Sequence, residues 1–239
     1  MIILGMDTCE ARGSVAVRKN AALASLQEHE TAEDYSLWLL PAVEKCLREA
    51  STKLQAMDVL SVATGPGSFT GLRVGITTAK AWAELYEKPG VGVSRLEVMA
   101  RTAAAESGYV AASFDAKRGQ IFGGLYRVER EGTLELVENE MVIAADEFVS
   151  WAGELAGGDP VHWVTLDPAL LQSTAIWKSR AERGESLTLC GRGLAAGVAE
   201  LGELRARNHQ LSDALHLDAN YVRRSDAEIF WKDPASRGS

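Results

Sequence analysis

Two spacings of hydrophobic residues follow one another along the first hundred positions. Short β-branched runs at residues 2–6, 14–17 and 59–64 predict buried strands. Apolar residues at helical spacing predict helices at residues 33–50 and 70–86. Strands that alternate with helices in this way are typical of an α/β fold, in which helices flank a mixed sheet.

A second cycle of the same kind begins after residue 94. It comprises a predicted helix at residues 96–106 and strands at 109–114 and 120–128, and helical and loop segments are expected to dominate from there to the C-terminus. No Pro/Ser-rich linker separates the two cycles. The pattern predicts two packed lobes, residues 1–100 and residues 101–239, and the last segment is a candidate to pack back on the first lobe.

The run Gly-Pro-Gly-Ser-Phe-Thr-Gly-Leu-Arg-Val-Gly at residues 65–75 joins a predicted strand to a predicted helix. Glycine permits close approach of the backbone, and Ser68 or Thr70 can cap the free N–H groups of the helix. Such a junction can hold an anion or a neighbouring chain. A P-loop has Lys followed by Ser or Thr after its last glycine, whereas Leu72 and Arg73 stand there in this chain. Arg73 therefore has two interpretations, a phosphate contact or a contact with a carboxylate or partner.

Two segments share the order strand, aspartate, turn with glycine, strand. Asp7 precedes the turn in the first and Asp115 in the second, where Gly119 completes the turn. Hairpins of this kind hold nucleotide phosphates and a metal in the actin, hexokinase and Hsp70 superfamily, which makes these three residues weak candidates for a cofactor site. The alternative is that each aspartate fixes its turn through bonds from its side chain to the backbone.

The first predicted helix is apolar beyond a single stripe, because Leu37, Trp38 and Pro41 extend its apolar surface. On the second, Gly71, Gly75 and Ala79 recur every four residues, which predicts a groove that another helix can approach. Packing of both helices on their own sheet is the alternative. The predicted partner interface consists of eight residues: Leu37, Trp38, Leu40, Pro41, Gly71, Leu72, Gly75 and Ala79.

Composition narrows the function classes. The chain carries 25 Lys and Arg against 33 Asp and Glu, a net charge of −8, which argues against a stand-alone nucleic-acid binder. A tail with Arg223, Arg224, Lys232 and Arg237 is basic only locally. The three cysteines are far apart, which argues against disulfides and a zinc site, and no leader or membrane span is apparent. These features favour a cytoplasmic protein.

With these residues in hand, the chain resembles the bacterial tRNA threonylcarbamoyladenosine biosynthesis family TsaB, also called YeaZ, over about its first 130 residues. The family usually has serine at the position of Cys9 and tends to have histidine at that of Tyr35. Residues 128–217 carry little family signature. The matching stretches are Met6-Asp7-Thr8, Leu39-Leu40-Pro41, residues 65–75, Gly92-Val93-Ser94-Arg95-Leu96-Glu97, Asp115-Ala116-Lys117-Arg118-Gly119 and, more weakly, residues 219–224.

The resemblance implies a two-lobed fold of the actin/Hsp70 type whose own nucleotide site has decayed. It also implies a non-catalytic scaffold that binds and activates a catalytic paralogue, TsaD, through helices of the N-terminal lobe. With the ATPase TsaE, that pair would transfer threonylcarbamoyl to the adenosine beside the anticodon of tRNA. We expect tRNA to be contacted indirectly, a homodimer when the chain is alone, and ADP or ATP only at the interface of the complex.

Enzymatic alternatives find less support in the residues. A glycoprotease-like peptidase needs a metal pair or a nucleophile with a base, yet the four histidines are isolated and neither Ser68 nor Ser94 has a base adjacent in sequence. A nucleotide-binding phosphotransferase or ATPase would rest on residues 65–71, which lack the P-loop lysine. No catalytic residue and no metal ligand is predicted.

Overall fold

The computed structural model describes residues 1–30, 34–103, 107–129, 133–191, 193–211 and 216–222. Within them the chain forms two sheets, and strands and helices are numbered here in chain order. The first sheet has the order β3 (Ala22–Glu28), β2 (Ser14–Lys19), β1 (Ile2–Asp7), β4 (Val59–Ala63) and β5 (Gly90–Val93). Strands β1 to β3 pair antiparallel, and β4 and β5 extend the sheet in parallel.

The second sheet repeats this arrangement. Its order is β8 (Leu134–Leu136), β7 (Gln120–Val128), β6 (Gly108–Lys117), β10 (Val161–Thr165) and β11 (Leu187–Leu189), and β9 (Met141–Ala144) also pairs with β7. Strands β6 and β7 are antiparallel, whereas β10 and β11 are parallel to β6. The two Asp-containing hairpins are therefore equivalent in the fold, β1–β2 in one sheet and β6–β7 in the other.

Helices cover both faces of the first sheet. One face carries α1 (Tyr35–Glu49) and α2 (Phe69–Tyr86), which pack on β2, β3 and β4. The other face carries α7 (Ala195–Arg207), whose Val198 carbonyl accepts a hydrogen bond of 2.8 Å from Ser61 of β4. Gly5 of β1 also lies on that face, where an added Cβ would sit 2.4 Å from the Ala195 carbonyl.

The lobes share helices and a core. Helix α3 (Arg95–Arg101) follows the last strand of the first sheet but packs on β6 and β7, while α7 follows the second sheet and packs on the first. One buried cluster runs from Leu60 in the first sheet to Phe114 in the second. The far face of the second sheet has its own core, beneath α4 (Ala145–Leu155), α5 (Pro168–Gln172) and α6 (Ala175–Glu182). The division at residue 100 stays a prediction, and α7 covers the first sheet from the second half of the chain.

The predicted elements of the first half are confirmed with small shifts at their ends. Helix α1 begins at Tyr35 within the predicted range 33–50, α2 matches residues 70–86 within one residue, and Ser68 caps α2 by accepting from the Gly71 N–H at 3.5 Å. Strands β3 and β5 were not predicted. Helical and loop segments dominate the described residues after 128, as expected, but the short strands β8 to β11 that lie among them were not predicted. The basic tail with Arg223 and Arg224 lies outside the described residues.

Candidate functional site

Helix α1 exposes apolar side chains on the side that faces away from the sheet. Leu39, Ala42, Val43 and Cys46 are buried, whereas Leu37 is 64% exposed and Leu40 is 56% exposed. Pro41 is also exposed and lies inside the helix, where it has no N–H to offer to the Leu37 carbonyl. The apolar excess that the sequence indicated on this helix is therefore at the surface.

An aromatic cluster supports the first turn of α1. The Tyr35 ring lies 4.7 Å from the His29 ring and 5.8 Å from the Trp38 ring, measured between centroids. The Tyr35 hydroxyl donates to the Glu10 carbonyl, and burial raises the pKa of Tyr35. Trp38 is half-buried within this cluster rather than free at the surface.

Helix α2 turns its small residues inward. Gly71, Leu72, Gly75 and Ala79 are all buried. A Cβ added to Gly71 would lie 2.0 Å from the Thr8 carbonyl, and one added to Gly75 would lie 2.4 Å from the Thr8 hydroxyl. The predicted groove for a partner helix at Gly71, Gly75 and Ala79 is therefore wrong, since all three are buried and Thr8 of the β1–β2 hairpin lies against both glycines.

The exposed side of α2 continues the apolar surface of α1. Phe69 is 41% exposed, and the Arg73 guanidinium carbon lies 3.9 Å above its ring centroid. Between the helices lies a depression of about 410 Å³ lined in part by Leu40, Arg73 and Thr77. We call the exposed residues Leu37, Leu40, Pro41, Phe69 and Arg73 the α1–α2 face.

The first Asp hairpin is closed by an internal cation. Arg95 at the start of α3 is buried, and its Nε lies 3.2 Å from Oδ2 of the equally buried Asp7. Its Nη1 lies 3.4 Å from the Glu10 carboxylate, and its guanidinium carbon is 4.6 Å from the Phe114 ring centroid. Oδ1 of Asp7 accepts from the Cys9 N–H at 2.9 Å. Burial raises the pKa of Glu10 although Arg95 opposes that shift.

The second Asp hairpin is arranged in the same way nearer to solvent. Asp115 accepts from the Lys117 N–H at 2.7 Å, and the Lys117 ammonium lies 2.7 Å from its other oxygen. Partial burial raises the pKa of Asp115, but the hydrogen bonds and charge of Lys117 outweigh it and lower that pKa. Gly119 has a φ of +74°, which favours glycine, and open space lies beyond its Cα. Both aspartates fix their own turns, as the alternative interpretation held.

Comparisons with known proteins bear on which of these features matters. The sequence model of the family "TsaD: tRNA N6-adenosine threonylcarbamoyltransferase" matches residues 27–161. A Bacillus subtilis protein named "tRNA threonylcarbamoyladenosine biosynthesis protein TsaB" is 32% identical over 171 residues, covering 71% of this chain and 73% of that protein. The chain belongs to the TsaB family. Helices α1 and α2 both lie inside the segment that matches the TsaD model.

Solved structures show that the chain shares its fold with a YEAZ-like protein and with a hexokinase. A Pseudomonas aeruginosa protein described as similar to peptidase YEAZ superposes with a TM-score of 0.77 at 22% identity, over 93% of this chain and 99% of that one. The ROK hexokinase of Thermus thermophilus superposes with a TM-score of 0.52 at 13% identity, over 87% of this chain and 100% of that one. At such identities the likeness concerns the fold alone.

The fold of this TsaB chain brings together residues that sequence reasoning left apart. In the sequence Arg95 is only one residue of a matching stretch, whereas in the structure its guanidinium balances the charge of the Asp7 carboxylate. Glu140 was missed altogether; it accepts hydrogen bonds from Ser94, Tyr126 and Asn220. Its partners are 46, 14 and 80 residues away along the chain, so no local pattern marks it.

The structure also shows the surroundings of two of the histidines and of Ser94. No group of three or more His, Cys, Asp or Glu side chains there is placed to hold a metal ion. His29 contacts the Ala11 carbonyl and His162 contacts Ser186. Ser94 caps α3 and has a carboxylate as its neighbour. None of the described helices is long and apolar enough to cross a membrane.

Proposed function

We propose that this chain is a non-catalytic subunit in the cytoplasmic biosynthesis of threonylcarbamoyladenosine in tRNA, and that it binds the transferase TsaD through the α1–α2 face. The observation that carries this proposal is the exposure of Leu37 and Leu40 on α1 and of Phe69 on α2, two helices whose Leu40 and Arg73 line one depression. Contiguous exposed apolar side chains mark interaction sites on soluble domains. The names of the relatives support the proposed pathway, and the exposed apolar side chains support the proposed binding surface.

The likeness between this chain and TsaD supports pairing through the same helices. The segment that matches the TsaD model includes all of α1 and α2, so the partner is expected to carry equivalent helices. Two related surfaces can pair about an approximate two-fold axis, and two copies of one surface can pair about a true one. The chain alone is therefore expected to form a homodimer that competes with the pair.

The two Asp hairpins support an accessory role. Arg95 already occupies the Asp7 carboxylate, and Lys117 occupies that of Asp115. Divalent cations that hold nucleotide phosphates in proteins are bound through carboxylate oxygens. We accordingly expect the chemistry to belong to TsaD, the ATPase TsaE to act on the pair, and any ADP or ATP to bind at the interface of the complex.

The test is a binding measurement with purified TsaD at micromolar concentration, followed by light scattering and by an assay of tRNA modification. Leu37→Asp combined with Leu40→Asp should weaken the pair at least about 100-fold, since each leucine buried at the interface contributes about 1.5–3 kcal/mol. The matched control is Leu189→Asp, because Leu189 is 65% exposed on β11 in the second lobe. Equal affinity of the double variant and the control would contradict the assigned surface.

If the wild-type chain and TsaD remain two separate species in light scattering, the scaffold role itself is contradicted.

A separate measurement addresses catalysis. Calorimetric titration of the isolated chain with ATP should give no heat of tight binding. A submillimolar affinity there would favour the phosphotransferase alternative instead.

A further inference from the structure

Residues 216–222 lie across the N-terminal half of α2, and we call them the strap. Leu217 is buried in the shared core, and the Asp218 carboxylate lies 3.4 Å from the Lys80 ammonium on α2. The Asn220 N–H donates to the Thr64 carbonyl at 2.7 Å, at the end of β4. The strap is thus fixed to the first lobe at several points.

The strap also supports the α1–α2 face. The Tyr221 ring lies 5.5 Å from the Phe69 ring, between centroids, and its hydroxyl oxygen is 3.5 Å from Nε of Arg73. Phe69 and Arg73 contact each other as well. Tyr221 is therefore the third member of a stack whose other two members belong to the proposed partner surface.

One carboxylate links the strap to the second lobe. Oε2 of Glu140, in the loop between β8 and β9, accepts from the Asn220 side-chain amide at 2.6 Å. Oε1 accepts from the Tyr126 hydroxyl at 2.6 Å and from the Ser94 hydroxyl. Tyr126 lies on β7, and Ser94 is the cap of α3, the helix that crosses between the lobes. Glu140 thus contacts the second sheet, the crossing helix and the strap at once.

These contacts form a continuous path from the second lobe to the partner surface. It runs from Tyr126 through Glu140 to Asn220, and from the adjacent Tyr221 to Phe69 and Arg73. Three donors on one carboxylate leave it little freedom to move, because charge-assisted hydrogen bonds are strong and directional. The position of Tyr221 is therefore set partly by the second lobe.

We propose that Glu140 is a positioning residue for TsaD binding, which holds the strap so that Tyr221 orders Phe69 and Arg73 on the α1–α2 face. The inference rests on the proposed function and adds the second lobe to it. Affinity for TsaD then depends on a residue that is remote from α1 and is joined to the surface only through the strap.

An exchange of groups between Glu140 and Asn220 tests the link. Asn220→Asp places two carboxylates in contact, and their repulsion should displace the strap. Glu140→Gln combined with Asn220→Asp restores a donor facing an acceptor, and the Gln oxygen can still accept from Ser94 and Tyr126. Glu140→Gln alone should change little, because the Asn220 amide can turn its oxygen toward the new amide.

We expect Asn220→Asp to weaken TsaD binding about tenfold and the double variant to recover most of that loss, as coupled contacting residues do. The matched control is Glu185→Gln, which removes another buried carboxylate of the second lobe, one that accepts from Trp163 and pairs with Arg180. That change should lower the unfolding temperature but leave the TsaD affinity unchanged. A fall in affinity as large as that of Asn220→Asp would mean that general destabilisation, not the strap, is responsible.

Hydrogen exchange on the isolated chain provides a readout that does not need TsaD. Exchange at the backbone amide of residue 220 and in the first turn of α2 should accelerate at least tenfold in Asn220→Asp. In the double variant it should return to the wild-type rate. If the wild type does not bind TsaD, the proposed function is contradicted. Hydrogen exchange alone then decides the role of Glu140. The inference would be overturned if Asn220→Asp exchanged at the wild-type rate. It would also be overturned if the wild type binds TsaD and Asn220→Asp binds it equally well.

Discussion

The Arg95 guanidinium and the Asp7 carboxylate form a buried ion pair at the junction of the two lobes, with Nε and Oδ2 3.2 Å apart. Arg95 begins α3, the helix that leaves the first lobe for the second, and Asp7 ends β1. The pair places an internal positive charge beside the aspartate that the sequence marked as a candidate nucleotide ligand. The same contact ties the crossing helix to the hairpin beneath α2.

Replacing Arg95 with methionine should destabilise the protein strongly. The substitution keeps much of the side-chain volume but leaves Asp7 and Glu10 without their cation, and breaking a buried pair costs about 3–5 kcal/mol in the free energy of unfolding. Urea denaturation at pH 7 measures the loss. The deficit should shrink toward pH 5, because burial already raises the pKa of Glu10 and the substitution removes the Arg95 charge that opposes this shift.

The control for this substitution is Arg127→Met. Arg127 pairs with Glu129 and Glu135 on an exposed part of β7, where screening by solvent leaves ion pairs with little effect on stability. Its unfolding midpoint should match that of the wild type. A midpoint for Arg95→Met that also matches the wild type would show that the Asp7 carboxylate does not depend on Arg95.

Substituting Gly71 with alanine should impair folding rather than partner binding. The new Cβ would lie 2.0 Å from the Thr8 carbonyl, a backbone atom that cannot move without distorting the β1–β2 hairpin. Overpacking of this kind costs about 1–3 kcal/mol, more than the helix propensity that alanine adds. Chemical denaturation should show the loss, and the remaining folded protein should bind TsaD normally.

The matched control is Gly191→Ala. Gly191 is exposed and needs no positive φ, and among the described residues beyond its chain neighbours no atom lies within 4 Å of an added Cβ, so the stability of the variant should be unchanged. The outcome that would revive a helix groove on α2 is a stable Gly71→Ala protein that fails to bind TsaD.

The length of α1 and α2 and the helical spacing of their apolar residues made both helices predictable. Which element packs against each face of a helix depends on the tertiary structure. The spacing of Gly71 and Gly75 correctly indicates a close approach and does not say that Thr8 makes it. Strands β8 and β11 escaped prediction because three residues are too few for a recognisable alternation. Glu140 could not be found from sequence, since its partners meet it only when both lobes are folded.

The three cysteines should be unreactive in the folded protein. Cys9, Cys46 and Cys190 are buried, and burial raises the pKa of each thiol, so little reactive thiolate is available. A disulfide reagent such as DTNB should label none of them within minutes at pH 8 and all three in denaturant. Ser179→Cys, at an exposed position on α6, should add one rapidly labelled thiol. Rapid labelling of the wild type would contradict the packing around these thiols.

The stability of the protein should depend on pH through Glu140 in a direction opposite to that of an ordinary salt-bridged carboxylate. Burial raises the pKa of Glu140 above the ordinary value of 4.5, even though Ser94, Tyr126 and Asn220 donate to it and lower it. Between the unfolded and folded pKa values the folded chain holds a proton that the unfolded chain has lost. Protonation then favours the fold, and stability falls as pH rises through that window.

Glu140→Gln isolates this contribution, because Glu10 has its pKa raised by burial as well and contributes a slope of the same sign. Urea unfolding of both proteins from pH 4.5 upward gives the difference in free energy at each pH. The wild type should lose stability relative to Glu140→Gln as pH rises, and the difference should become constant once Glu140 is ionised in the folded state. A constant difference from pH 4.5 onward would mean that the three donors offset burial completely and that Glu140 is charged whenever the strap is in place.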